Sequence, residues 1–210
     1  VMEKKGGIPR FLEVIIAFGG LILFSPFLLI VAVLVKITSK GPILFCQRRV
    51  GLNGKEFTLF KFRTMKAEQS GPLVTAASDN RITKIGRILR KTKCDELPGL
   101  WNVVLGDMSF VGPRPEVPQL VDLTNSMWQK TLSVRPGITD PVTIRLRNEE
   151  DLLAQAEDKD EFYRNTLQPY KLDGYVKFVD KKSFKNDIVI ILKTLKAVVA
   201  PHTIPPPSLE

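Results

Sequence analysis

Apolar positions crowd the start of the chain and then thin into patterned segments. From Val14 to Val35 no residue is charged, a run of 22; as a helix it would reach about 33 Å, enough to cross a bilayer core. Its length, with no small-residue cleavage pattern after it, argues against a signal peptide. Ser25-Pro26 stands in the middle of the run. Proline removes one backbone donor and clashes with the carbonyl four residues earlier, which predicts a kink or break there, and the Ser25 hydroxyl can bond a carbonyl of the preceding turn. Further on, Ile43 to Val50 and Glu56 to Thr64 read as strands joined through Asn53-Gly54, a strong hairpin signal. Residues 67–79 read as a loop. Arg81 to Lys93 fits a helix with Ile82, Ile85 and Leu89 on one face, opposite Lys84, Arg87 and Lys91. Asp95 is placed to cap a helix running to Leu105, with Pro98 in its first turn and Gly106 as its stop. The acid-rich residues 149–161 predict a surface helix. Ser183 to Ala200 predicts a last helix with Phe184, Ile188, Ile191, Leu192 and Leu195 in one arc and Lys185, Lys193 and Lys196 off it. That pattern suits a core helix and a helix lying in the membrane interface equally.

Charge sets the apolar run in context. Lys4, Lys5 and Arg10 precede it and Lys36, Lys40, Arg48 and Arg49 follow, so both ends favour the cytoplasmic side. A break at Ser25-Pro26 would let the segment enter and leave by one leaflet; a single kinked spanning helix meets the same physics. Over 210 residues, Lys+Arg 31 against Asp+Glu 22 gives a net charge of +9, which favours anionic partners: phosphate-bearing substrates, acidic headgroups or nucleic acid. The length suits one domain plus a membrane element. Val1 ahead of Met2 and the terminal Leu209-Glu210 are set aside as additions to the native sequence. Cys46 and Cys94 cannot build a disulfide framework, and the single histidine, His202, lies in a proline-rich tail. Ser-His-Asp catalysis and His-ligated zinc are thereby excluded, leaving carboxylates, cations or a hard metal ion.

The densest candidate chemistry runs from Cys94-Asp95-Glu96-Leu97-Pro98 to Gly112-Pro113-Arg114-Pro115. Acids at a helix start have an ordinary explanation in the macrodipole. Here they directly follow a segment bearing Arg87, Arg90, Lys91 and Lys93, cations that favour an ionised Asp95 and a phosphate beside it. A carboxylate next to a bound phosphate can attack phosphorus. Arg114 is held between two prolines, a setting for bidentate phosphate binding or for an ordinary solvated turn. Arg135-Pro136-Gly137 echoes that device. Lys61 and Arg63 alternate with Phe60 and Phe62, as a nucleotide-facing basic edge or a solvated strand face.

Four ordered stretches together carry a resemblance. Lys61-Phe62-Arg63-Thr64-Met65, Asp95-Glu96-Leu97-Pro98, the run from Gly106-Asp107-Met108-Ser109 to Pro115, and Val134-Arg135-Pro136-Gly137-Ile138-Thr139 resemble the bacterial sugar transferases, the monotopic phosphoglycosyl transferases, over roughly residues 10–200. A chain of this length resembles their small, single-domain type.

The resemblance implies a mostly helical α/β (α+β) membrane-associated domain with a small hairpin, interfacial amphipathic helices and a re-entrant helix broken at Ser25-Pro26. Residues 1–40 would form the membrane segment, 41–200 the catalytic domain at the cytoplasmic face of the bacterial inner membrane, and 201–210 a tail. It implies transfer of a phospho-sugar from a UDP-sugar to polyprenol phosphate with release of UMP. Asp95 would be the nucleophile and Glu96 its partner, both would bind Mg²⁺, and Lys61, Arg90, Arg114, Arg135 and Arg147 would bind substrate phosphates. Lipid of the inner leaflet is the implied surface, nucleic acid is not a partner, and a homo-oligomer is left open. Asp140-Pro141-Val142-Thr143 and Gly99 depart from the usual residues, which leaves the sugar undetermined. Two rivals remain at this level: a basic membrane adaptor or nucleic-acid tether, and a membrane phosphohydrolase using water as acceptor.

Overall fold

The computed structural model describes residues 6–66, 75–76 and 79–200. Most of the loop expected at 67–79, the lysines at 4 and 5, and the tail at 201–210 with His202 lie outside the described residues.

Helix α1 runs from Arg10 to Thr38. It passes through Pro26 without ending, so of the kink or break expected there the break does not occur. The reason lies in one hydrogen bond: Pro26 has no N–H to give the Ile22 carbonyl four residues back, and Ser25 Oγ donates to that carbonyl at 2.7 Å instead. The start of α1 is fastened by polar groups. Arg10 donates to the Val103 and Met108 carbonyls, and the buried Glu13 accepts from Ser109 Oγ and from the Phe110 amide. Its far end is fastened as well: Arg63 donates to the Ser39 carbonyl at 2.8 Å and to that of Lys40, and Val31 and Val35 pack on Phe62 and Leu89. A guanidinium at a helix C-terminus satisfies orphan carbonyls and complements the dipole. Between these ends, Ile22, Leu23, Phe24 and Phe27 stand exposed. Both ends of α1 therefore grip one globular body, and its middle is bare.

Strands β1 (Leu44–Val50) and β2 (Glu56–Phe62) pair antiparallel, with Leu44 opposite Phe62 and Val50 opposite Glu56. The turn carries Asn53 at φ 56° and Gly54 at φ 78°, the left-handed conformations that Asn-Gly accepts most readily. Helix α2 (Lys84–Thr92) begins at Thr83, whose side chain accepts from the Gly86 amide, and ends at Lys93. A 3-10 turn, Cys94–Glu96, leads into α3 (Gly99–Leu105), which Gly106 closes at φ 98°. Pro98 occupies the N-cap of α3 without a side-chain bond, so the capping role expected of Asp95 is not taken.

Two three-residue strands, β3 (Ser109–Val111) and β4 (Gly137–Thr139), pair in parallel. Here Gly112 and Gly137 meet backbone to backbone: a Cβ on Gly112 would lie 2.2 Å from the Arg135 carbonyl oxygen. The Gly-Pro-Arg-Pro and Arg-Pro-Gly motifs are thus packed on each other. Helices α5 (Pro141–Arg145), α6 (Glu149–Gln155), α7 (Lys159–Phe162) and α8 (Gln168–Asp180) build the core around Leu153, Tyr163, Leu167 and Tyr175, and Trp128 of α4 (Ser126–Thr131) packs with Val50 and Leu172. The single acidic surface helix expected at 149–161 is two short ones. Helix α9 (Phe184–Val199) starts at Ser183, which caps the Asn186 amide. It takes part in the core, burying Ile190 and Ala197, while Leu192, Leu195 and Val199 stand exposed. The architecture is mostly helical, with two small two-stranded sheets.

Candidate active site

The site forms where α2 ends, α3 begins and β2 runs alongside. Lys93 takes the left-handed conformation at φ 58°, a sharp reversal that turns the next three residues back toward β2. Asn102 of α3 is wholly buried and locks that strand: its Nδ2 donates to the Thr58 carbonyl at 2.7 Å and its Oδ1 accepts from the Phe60 amide at 3.1 Å. The adjoining Lys61 is thereby held close enough for Asp95, Arg49 and Arg114 to act on its charge.

Asp95 is buried, and its Oδ1 has no hydrogen-bond partner among the described residues. Burial first, and the Glu96 charge second, push its carboxyl up to about 6 against the pull of Lys61, Lys93 and Arg90. The surrounding cations alone had predicted the opposite direction; desolvation outweighs them, although a carboxyl at that value is still mostly ionised at neutral pH. Glu96 differs. Burial raises it, but the Arg114 charge and hydrogen bonds, with Lys93 and Lys61, outweigh burial and hold it at about 2. Arg114 grips it with two prongs, Nη2–Oε1 at 2.7 Å and Nη1–Oε2 at 3.3 Å. Burial and the nearby Arg49 and Arg114 lower Lys61 to about 8.

Two cavities meet at the Glu96–Arg114 pair. The smaller, about 30 Å³, is bounded by Arg49, Lys61, Phe60, Gly99 and Pro115 together with that pair. The larger, about 580 Å³, lies on the other side among α1, α3 and α9. Asp95 itself lines neither.

Lys61, Asp95, Glu96 and Arg114 are therefore brought together. Arg90 is near enough for its charge to act on Asp95, but its guanidinium is engaged by Glu150 at 2.5 Å and by Thr64 Oγ1 at 3.3 Å. Arg135 is held at the far end of α3, where its Nε donates to the Gly106 carbonyl at 2.9 Å, and it lines neither cavity. Arg147 reaches the larger cavity and donates to the Ala197 carbonyl at 2.6 Å. Arg63 does not face the site, being spent on the end of α1. Among the described residues no group of three or more His, Cys, Asp or Glu side chains could hold a metal by itself. The Asp95–Glu96 pair offers hard oxygens, one of them unpartnered, which suits an ion that keeps waters and shares substrate phosphates.

Sequence reasoning missed Arg49 and the cluster behind it. Arg49 was counted only as a charge flanking the membrane segment, yet it lines the small cavity and donates to the Pro115 carbonyl at 2.9 Å. Beneath lies Glu116, which accepts from Tyr163 Oη at 2.5 Å and pairs with Lys171 at 2.9 Å, with Arg49 at 3.8 Å. The acid immediately after Pro115 was the available signal.

Comparison with known proteins matches residues 5–201 to the profile described as bacterial sugar transferase. A UDP-N-acetylgalactosamine-undecaprenyl-phosphate N-acetylgalactosaminephosphotransferase of Aeromonas hydrophila is 34% identical over 197 residues, 91% of this chain and 44% of that protein. A UDP-glucose:undecaprenyl-phosphate glucose-1-phosphate transferase of Klebsiella pneumoniae is 41% identical over 159 residues, 73% of this chain and 34% of that protein. One of the same description from Caulobacter vibrioides is 35% identical over 196 residues, 90% of this chain and 69% of that protein. The chain thus spans less than half the length of the first two relatives.

Proposed function

The chain belongs to the bacterial sugar transferase family, and on that premise we propose that it transfers a phospho-sugar from a UDP-sugar to polyprenol (undecaprenyl) phosphate, releasing UMP. The observation that carries this reading is the buried Asp95 carboxylate with its unpartnered Oδ1, set within reach of the charges of Lys61, Lys93 and Arg90. The names of the relatives, each a transferase acting between a UDP-sugar and undecaprenyl phosphate, support the same reaction.

The chemistry follows from the charges. The diphosphate competes with Glu96 for Arg114 and draws that guanidinium toward itself, giving access to Asp95. Lys61 and Arg49 hold phosphate oxygens from the small cavity. Asp95 Oδ1 attacks the phosphorus next to the sugar; an O–P bond forms, the bridging P–O bond breaks, and its electrons leave with UMP. A phosphate oxygen of the polyprenol phosphate then attacks the same phosphorus and Asp95 departs as carboxylate, a ping-pong relay. A partly desolvated carboxylate is a stronger nucleophile than a fully hydrated one, and this is the use of its burial. Asp95 and Glu96 would hold Mg²⁺ together with diphosphate oxygens, and the ion would neutralise charge on the leaving UMP. Arg90 would add positive potential while bound to Glu150, and Arg147 would contribute from the larger cavity; Arg135 acts by holding α3 against the motif loop.

The setting is the cytoplasmic face of the bacterial inner membrane, where this step would begin glycoconjugate assembly. In this reading α1 enters and leaves one leaflet, supported by the fastening of both its ends to one body and the exposure of its middle. Thiols introduced at residues 8 and 55, in a chain lacking Cys46, are then expected to be labelled from the same side; labelling from opposite sides would establish a spanning helix.

The reaction is tested by intact mass after mixing with a UDP-sugar panel and Mg²⁺. The parent protein should gain one phospho-sugar and release one UMP without acceptor, and Asp95→Asn should do neither. Unchanged UMP release by Asp95→Asn would overturn the nucleophile.

A further inference from the structure

Lys171 of α8 is buried, and the chemistry proposed above does not use it. Its Nζ stands 2.9 Å from Glu116 Oε1 and 3.2 Å from Glu149 Oε1, and it donates to Tyr163 Oη at 3.0 Å. The helix itself prepares this meeting. It runs from α7 through the π-turn Tyr163–Leu167 into α8 without an interruption. In a plain α-helix, residues eight apart lie about 80° apart around the axis. The π-turn takes up one extra residue, so Tyr163 and Lys171 stand nearly in line, as residues seven apart would. Lys171 Nζ accordingly lies 4.8 Å from the centre of the Tyr163 ring.

One oxygen of Glu116 takes both of these donors. Oε1 accepts from Tyr163 at 2.5 Å and pairs with Lys171, whereas Oε2 stands 3.8 Å from Arg49 Nη1, within ion-pair range but beyond a hydrogen bond. Arg49 is held by neutral acceptors instead, the Pro115 carbonyl at 2.9 Å and Gln47 Oε1 at 2.8 Å. Its Nε bonds no described residue. Arg114 shares the small cavity with it and is gripped by Glu96 at 2.7 Å. Of these two guanidiniums, Arg49 keeps the more open charge.

We propose that Lys171 is a positioning residue for the donor substrate: by occupying Glu116 it keeps that carboxylate off Arg49, whose guanidinium stays open to the diphosphate. This role rests on the transfer reaction proposed above, in which Arg49 holds phosphate oxygens, and it names what keeps Arg49 available. Without Lys171, the Glu116 carboxylate loses its charged competitor and closes on Arg49. The substrate then meets a cation that is already neutralised. Glu149, the other partner of Lys171, is partly exposed and takes water in its place.

Calorimetry with UDP and Mg²⁺ reads this without turnover, and it gives the Kd and the number of sites separately. Lys171→Met should weaken UDP binding about tenfold, the order expected when a charge-assisted phosphate contact is lost. Tyr163→Phe removes only the neutral donor to Glu116 Oε1 and should weaken it about two- to threefold. Glu116→Gln/Lys171→Met removes the carboxylate together with its restraint and should bind UDP within about threefold of the parent. In turnover, Lys171→Met should raise the KM for the UDP-sugar about tenfold and change kcat less than about threefold. A purely structural role would lower the number of sites at constant Kd, or weaken the double variant as much as the single one; either result overturns the proposal. So does an unchanged Kd in both Lys171→Met and Tyr163→Phe. UMP release is the separate readout for the reaction. The predicted pattern of UDP binding in a protein that releases no UMP would overturn the transfer and leave Lys171 in its role, and a parent protein that binds no UDP would overturn both.

Discussion

Asp95 and Glu116 are both buried carboxylates in electropositive surroundings, and the fold treats them oppositely. Glu116 is satisfied from three sides, by the Tyr163 hydroxyl, the Lys171 ammonium and the Arg49 guanidinium, and these partners outweigh its burial and lower its pKa. Asp95 has cations in range but an oxygen that bonds none of them, and burial raises it to about 6. A fully partnered buried charge costs little and fixes the loop above it, here Pro115, through Arg49. An unpartnered one is a standing cost, retained where a reaction needs a free electron pair. The contrast separates scaffold from chemistry inside one charge-rich region.

The sharpest way to break that contrast is to neutralise Asp95. Asp95→Asn should lower UMP release by at least ~10³-fold, the scale expected for loss of a nucleophile. It should also make the protein more stable. A carboxyl raised in the folded state binds its proton more tightly there than in the unfolded chain, so its contribution to stability falls as pH rises from about 4 to about 6. In the absence of divalent cations, the Tm of Asp95→Asn should exceed that of the parent by a few degrees above pH 6, a gain of order 1–2 kcal/mol. That advantage should vanish below about pH 4. A lower Tm above pH 6 would refute the assignment of cost.

Glu116→Gln is the complementary change. It takes from the buried Lys171 its nearer carboxylate, leaving Glu149 at 3.2 Å, and should cost about 1–3 kcal/mol by chemical unfolding. If it proves neutral in stability, the two carboxylates are not treated differently. Arg114→Lys should lower kcat/KM about 10–100-fold, since an ammonium cannot replace a two-pronged guanidinium, with a smaller effect on Tm. Smallest of all, Arg135→Ala should cost about 1 kcal/mol of stability through the lost Gly106 contact and change activity less than about threefold. A hundredfold loss there would move Arg135 onto the substrate.

What could be read from the sequence follows a physical division. Asn53-Gly54, Ser183, Gly106 and the hydroxyl of Ser25 were legible because each acts on a backbone group within four residues. The motifs named Lys61, Asp95, Glu96 and Arg114, which the fold does gather. Strands β3 and β4 were not legible: each is three residues long, and they pair across 28 positions through two glycines in contact. Helix α8 was obscured by Pro169, by Gly174 and by the π-turn Tyr163–Leu167 ahead of it. The direction of the Asp95 shift was missed for a related reason. Charge signs are written in the sequence, whereas desolvation arises from what long-range packing places on top of a side chain.

The two fastenings of α1 make the long apolar helix an integral member of the fold rather than a leash. Arg10 and Glu13 complete the surroundings of β3, and Ser39 and Lys40 receive Arg63 at the end of β2. A foreign apolar helix of equal length, grafted in its place, would supply lipid affinity and none of these partners. Such a chimera would keep the apolar span, but with Arg63 and Ser109 stripped of the groups they were folded against.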